Sequence, residues 1–265
     1  DDVESRGLGD VYKRQYIYIL VFARMAGVIM FNPVFSRRNV PTLMKTGIVM
    51  CLTVLVAPVI TAPDGYNPDT YDLLLGIMKE LFAGFLLGFV FNIFYYMLLT
   101  AGDIMDTNFG FSMAKMFDPG TSIQSAFTGS LLNLMFVMYF FVTNSHLILI
   151  NLAVSSFDFI GIGLSGLSIE SAASFAIDVF SYAFNLAMRL TLPFVAAEFI
   201  LEISMGILMK LIPQIHIFVI NFQFKIFLAL FLLFLLAGPI SNFIDNYIMT
   251  MFEKMEDGLY SLVVQ

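Results

Sequence analysis

The residues of this sequence with the clearest potential for chemistry are charged side chains that interrupt long apolar stretches. Glu198 and Glu202 lie four residues apart, so a helix would place both carboxylates on one face. Such a pair suits a proton or cation relay, or ion pairs with Arg189, Lys210 or basic residues of another subunit. Both interpretations stay open. The ionisable residues in apolar stretches are Arg24, Lys79, Glu80, Asp103, Asp106, Asp178, Arg189, Glu198, Glu202 and Lys225.

A second candidate feature is an apolar loop. The stretch NFGFSMAKMFDPG, Asn108–Gly120, contains the turn residue Gly110 and the turn sequence Asp118-Pro119-Gly120. Large apolar side chains lie between them: Phe109, Phe111, Met113, Met116 and Phe117. Two roles fit such a loop, burial against neighbouring helices or the sealing of an opening. Sealing suits dry apolar contacts, and flexible Met side chains repack around varied surfaces.

The composition excludes several function classes. Hydrophobic residues make up 59% of the chain and charged residues 12%, against about 45–50% and about 25% in soluble domains. The net charge is −7, so no basic surface for nucleic acid is expected. Neither a phosphate-binding loop nor a nucleophile elbow is present, and His146 and His216 share no ligand spacing. We therefore expect an integral membrane protein that is not an enzyme and has no cofactor or metal.

Apolar blocks organise the rest of the chain. They span residues 16–35, 43–60, 73–104, 125–160, 169–212 and 214–237. They predict an all-α, multi-helix membrane fold of about six hydrophobic segments with long kinked helices and hairpins. An amphipathic helix is predicted over 240–264. Pro193 is expected to kink or split the fifth block, and Pro213 and Gln214 to form the turn after it.

Two further features concern packing and boundaries. Gly76, Gly84 and Gly88 fall on one side of the third block, which predicts close helix packing or a hinge. Residues 1–15 are polar and lack the order of a signal peptide. We expect residues 1–15 to be non-native and residues 16–265 to form one domain.

Three patterns follow one another along the chain. A-R-x-x-G…P-x-F…P begins at Ala23, G-F-S-x-A…D-P begins at Gly110, and P-Q-x-x-x-F-x-I begins at Pro213. In this order and spacing they resemble the FliR / SctT family, the export-gate subunits of flagellar and injectisome type III secretion. One departure is that the usual G-F-P-x-K reads N-F-Q-F-K at Asn221–Lys225, so the helix is expected to continue through this point.

The resemblance implies a function, partners and a location. The chain would be a subunit of the channel through which unfolded flagellar proteins cross the inner (cytoplasmic) membrane at the flagellar basal body. Its partners would be subunits like FliP, FliQ and FlhB, together with membrane lipid. The helices of residues 16–160 would carry a plug loop at 109–125, and residues 189–237 would form a FliQ-like hairpin. The plug residues would be Phe109, Gly110, Phe111, Met113, Met116, Phe117, Asp118 and Pro119.

Two alternatives stay open. An injectisome homologue is one, although the motif FVINFQFKI, Phe218–Ile226, favours the flagellar branch. The other is a secondary transporter that uses Arg189, Glu198 and Glu202 as an intramembrane site beside Pro193.

Overall fold

The computed structural model describes residues 2–37, 40–60, 69–111, 126–162, 169–212 and 217–262. Throughout these ranges the regular structure is helical, as the apolar blocks predict. The helices are α1 (Asp2–Met30), α2 (Thr42–Val56), α3 (Thr70–Asn108), α4 (Phe127–Val142), α5 (Ser145–Phe159), α6 (Ile169–Leu211), α7 (Ile217–Leu235) and α8 (Ala237–Leu262).

The multi-pass membrane prediction is confirmed in its general form. Among the described residues, α3 and residues 171–211 of α6 are long and apolar enough to cross a membrane alone. Two pairs of consecutive helices, each with a bend between its members, provide up to two further spans if each pair crosses the membrane once. These pairs are α4 with α5, bent by 69°, and α7 with α8, bent by 64°. The described helices therefore offer two to four spans, fewer than the six apolar blocks.

The fourth block is not one helix. It divides between α4 and α5 at Asn144, whose φ of 58° lies in the left-handed region. Asparagine adopts this region more readily than most residues with a side chain. The backbone carbonyl of Asn144 accepts the backbone N–H of Leu147 at 2.9 Å at the start of α5. Apolar residues continue on both sides of the break, so hydrophobicity alone does not reveal it.

Pro193 does not split the fifth block, and that part of the prediction is wrong. Helix α6 runs through Pro193 without interruption, although an interior proline costs a helix about 3 kcal/mol. Residues beside Pro193 are buried or hydrogen-bonded within α6. The side chain of Phe194 is buried, and the buried hydroxyl of Thr191 donates to the carbonyl of Met188 at 2.9 Å.

Two other expectations have clear outcomes. Helix α7 continues through Asn221–Lys225, as the N-F-Q-F-K departure predicts. The amphipathic C-terminal helix is confirmed as α8. Its apolar face is buried at Ile244, Ile248, Met251, Met255 and Leu259, and its acidic face is exposed at Glu253, Glu256 and Asp257.

Helix α1 continues without a break across the boundary between residues 15 and 16. The non-native origin of residues 1–15 stays a prediction.

The chain divides into two compact units. Unit 1 contains residues 1–93, 144–179 and 250–265, and unit 2 contains residues 94–143 and 180–249. The long helices α3, α6 and α8 each contribute residues to both units.

In unit 1, glycines let α1 and α3 approach to backbone contact. A Cβ on Gly84 would overlap the carbonyl oxygen of Arg24 and lie 3.0 Å from the Cα of Gly27. A Cβ on Gly88 would lie 2.7 Å from the Cβ of Phe31. The close-packing prediction is therefore confirmed at Gly84 and Gly88, because no larger residue fits without a shift of the helices.

Replacing Gly84 with alanine tests this contact. We expect Gly84→Ala to lower the free energy of unfolding by about 1–3 kcal/mol, because the new methyl group meets backbone that cannot rotate away. The control is Gly206→Ala on α6, where a Cβ meets nothing within 4 Å. The control should be neutral or more stable by up to about 1 kcal/mol. Unfolding midpoints in detergent measure both, and equal midpoints for the two variants would contradict the contact.

Candidate functional site

Three groups of residues could carry function, and each lies within one unit. We call them the arginine node, the loop stem and the ion-pair cluster.

The arginine node lies in unit 1 and is centred on Arg24 of α1, whose side chain is fully buried. Its Nε lies 2.5 Å from Oε2 of Glu80 on α3, which is also buried. One terminal nitrogen donates to the hydroxyl of Ser156 at 3.1 Å, and the other donates to the carbonyl of Ile160 at 2.9 Å. The guanidinium carbon lies 3.9 Å from the centre of the Phe157 ring. Each nitrogen of the guanidinium thus has a partner.

This geometry indicates a structural role for Arg24. A buried guanidinium requires a counter-charge and a hydrogen bond at each nitrogen, and these partners come from α3, from α5 and from the residue after α5. The charged group is enclosed and paired, so it offers no free site for a transported ion. It instead fixes how α1, α3 and α5 pack within unit 1.

The loop stem lies in unit 2, where α3 ends and α4 begins. A Cβ on Gly102 would overlap the backbone of Gly129, so α3 and α4 touch at backbone distance. Four residues further along α3, the buried carboxylate of Asp106 accepts the backbone N–H of Thr128 at 3.1 and 3.2 Å. The N-cap residue Ala126 has no side-chain acceptor, so Asp106 supplies the cap that the first turn of α4 needs.

Aromatic contacts complete the loop stem. Phe109 is buried, with its ring 6.3 Å from that of Phe194. Gly110 has a φ of +80°, and a Cβ there would lie 3.2 Å from the ring of Phe222 on α7. The ring of Phe111 lies 5.6 Å from that of Phe127, which joins the two ends of the loop. Of the predicted plug residues, Met113, Met116, Phe117, Asp118 and Pro119 lie outside the described residues.

The ion-pair cluster joins α6 to α7 in unit 2. Nζ of Lys225 lies 2.6 Å from Oε1 of Glu198 and 3.5 Å from Oε1 of Glu202. The side chain of Glu198 is 5% exposed, whereas that of Glu202 is 58% exposed. The sequence reasoning named all three residues but missed that Lys225 is the partner. Lys225 follows Glu198 by 27 positions and lies on another helix, so the spacing of residues along one helix does not indicate this pair.

The predicted transporter site does not form among the described residues. Arg189 is exposed and makes no ion pair with Glu198 or Glu202 there. Over the same part of the chain, no three His, Cys, Asp or Glu side chains gather where they could hold a metal ion. His216, Pro213 and Gln214 lie outside the described residues. A relay role for Glu198 and Glu202 stays a prediction.

Neutralising Glu80 tests the arginine node. We expect Glu80→Gln to lower the free energy of unfolding by about 3–5 kcal/mol, because it leaves the buried Arg24 cation without a counter-charge. The control is Lys79→Gln at the neighbouring half-buried position, which should change stability by less than about 0.5 kcal/mol. The measurement is the unfolding free energy in mixed detergent micelles. Equal stability of the two variants would show that the pair contributes little.

Comparison with known proteins places the chain among export proteins. The family model described as bacterial export proteins, family 1, matches residues 16–251. The flagellar biosynthetic protein FliR of Bacillus subtilis (strain 168) is 28% identical over 244 residues, 91% of this chain and 94% of the relative. The FliR protein of Escherichia coli (strain K12) is 28% identical over 247 residues, 93% and 94% of the two chains.

A translocation protein is similar at nearly the same level of identity. The Yop proteins translocation protein T of Yersinia pestis is 29% identical over 236 residues, 85% of this chain and 88% of the relative. The family match covers three groups of residues: Arg24 and Glu80 of the arginine node, the loop stem, and the ion-pair cluster. The match covers most of the chain, from within α1 to within α8. The chain therefore belongs to the family of bacterial export proteins, family 1.

Proposed function

We propose that this chain is a subunit of a type III export gate, through which unfolded flagellar proteins cross the inner (cytoplasmic) membrane at the flagellar basal body. The observation that carries the proposal is the family match over residues 16–251 in a multi-pass helical protein. The relatives named FliR are flagellar biosynthetic proteins, and the Yersinia relative is a translocation protein. The flagellar assignment rests on the motif FVINFQFKI at Phe218–Ile226.

Partner subunits similar to FliP, FliQ and FlhB belong to this proposal. Its support is the outward apolar surface of the chain. In the most apolar stretch of α3, 44% of the residues are buried, but in that of α6 only 17% are buried. Helix α6 therefore presents most of its apolar surface to its surroundings, where partner helices and lipid would cover it. The ion pairs between α6 and α7 fit the expected hairpin at residues 189–237.

The proposed role of residues 109–125 is that of a plug in the export channel. Two features support it. The loop has an apolar composition that suits a dry seal. Its two ends are held together by the Asp106 cap and by the contact between Phe111 and Phe127. These contacts fix the two points at which the proposed plug joins α3 and α4.

Co-expression tests the proposed function. The tagged full chain is produced with the FliP-like and FliQ-like proteins of the same source, purified from membranes and weighed by native mass spectrometry. We expect a single complex that contains this chain. A chain that purifies alone, folded and monodisperse, in the presence of these proteins would contradict the gate assignment.

Replacing the apolar side chains of the loop tests the plug. We expect the triple change of Met113, Met116 and Phe117 to serine to leave the complex assembled but leaky to ions, because water would enter the seal. The matched control changes the same three residues to leucine and should stay closed. Deleting residues 111–117 should leak at least as much as the serine variant. Conductance of the complex in planar bilayers measures all three, and closed channels throughout would count against the plug.

A further inference from the structure

The ion-pair cluster contains more negative than positive charge. Two carboxylates, those of Glu198 and Glu202, share the single ammonium group of Lys225. With all three groups charged, two negative charges and one positive charge leave a net charge of −1. No other basic side chain of the described residues makes an ion pair with either glutamate.

The two carboxylates are not equivalent. Glu198 is buried and holds Lys225 at 2.6 Å, so this pair forms the internal connection between α6 and α7. Glu202 lies 3.5 Å from the same ammonium, at the limit of a hydrogen bond, and its side chain is 58% exposed. The uncompensated negative charge therefore lies at the surface of α6, on Glu202.

The surface around Glu202 is apolar. Phe199 and Ile203 on α6 are 62% and 51% exposed, and Phe224 on α7 is 49% exposed. Both helices belong to candidate membrane spans. A carboxylate that only shares its counter-ion is unfavourable on an apolar membrane surface, because neither lipid chains nor apolar side chains replace its lost hydration.

We propose that Glu202 is the docking point for a lysine or arginine carried on an apolar helix of a partner subunit. The proposal rests on the proposed function, since it assumes that this chain assembles with other gate subunits. One positive charge from the partner would neutralise the cluster. The apolar residues flanking that lysine or arginine would cover Phe199, Ile203 and Phe224 in the same step.

The charge and the surroundings select this occupant over two others. A lipid phosphate is anionic, so the net negative cluster repels it. A soluble basic peptide would satisfy Glu202 but leave the flanking phenylalanine and isoleucine side chains uncovered. A basic residue within an apolar helix matches both features, and such residues in membrane segments normally pair with a charge of opposite sign.

The test uses the co-expressed complex and the full chain. Glu202→Gln keeps the size of the side chain but removes its charge, and Glu202→Asp keeps the charge. We expect Glu202→Gln to lower the recovered complex about tenfold or more, because the partner's buried cation loses its counter-charge. Glu202→Asp should recover most of the complex. The control is Glu253→Gln on the exposed face of α8, which should assemble like the unchanged chain.

Charge reversal identifies the partner and guards against simple misfolding. Glu202→Lys should abolish the complex. Changing one lysine or arginine within an apolar segment of a partner subunit to glutamate should restore it. Rescue would support direct pairing even if Glu202→Lys alone fails to accumulate in the membrane. The inference is overturned if no such change restores assembly.

Two further outcomes separate the inference from the proposed function. If the unchanged chain forms no complex with export subunits, the proposed function itself fails. If the unchanged chain assembles and Glu202→Gln assembles equally well, the docking inference alone is overturned. The same conclusion follows if Glu202→Gln assembles fully but stops export, because Glu202 would then act in transport.

Discussion

The guanidinium of Arg24 lies where α1, α3 and α5 meet in unit 1, and its burial constrains everything packed around it. A cation without access to water requires an anion and a hydrogen bond at each nitrogen, and Glu80, Ser156 and Ile160 provide them. The short ion pair to Glu80 in turn needs α1 and α3 to approach closely. Gly84 permits that approach, because any larger side chain would meet the carbonyl of Arg24.

Unit 2 also contains a buried charge, that of Asp106, whose hydrogen-bond partner lies on another helix. The first turn of α4 has unsatisfied backbone amides and no capping side chain of its own, since its N-cap residue is Ala126. Asp106 of α3 reaches the amide of Thr128, and Gly102 and Gly129 let the two helices touch. The buried charge of Asp106 therefore has a partner, and the end of α3 lies against the start of α4.

The same unit contains a charged group that is only partly neutralised. Lys225 is shared between Glu198, which is buried, and Glu202, which faces outwards among apolar side chains. In a membrane, such an arrangement is more favourable if a further positive charge reaches Glu202. This is the basis of the proposal that a partner subunit supplies a positive charge at Glu202. Some charged residues in the apolar helices are paired within the chain, as Arg24 is with Glu80 and Lys225 is with Glu198.

Hydrophobic periodicity by itself determined the helical class, the limits of most helices to within a few residues, and the buried face of α8, because helix formation in such blocks depends on local composition. The glycine spacing in α3 likewise predicted close packing. Tertiary structure decided what depends on distant neighbours. The break at Asn144 and the continuity of α6 through Pro193 are not encoded in the hydrophobic pattern. The pairing of Arg24 with Glu80, and of Lys225 with Glu198, follows from helix approach across 56 and 27 positions, which spacing along one helix does not encode.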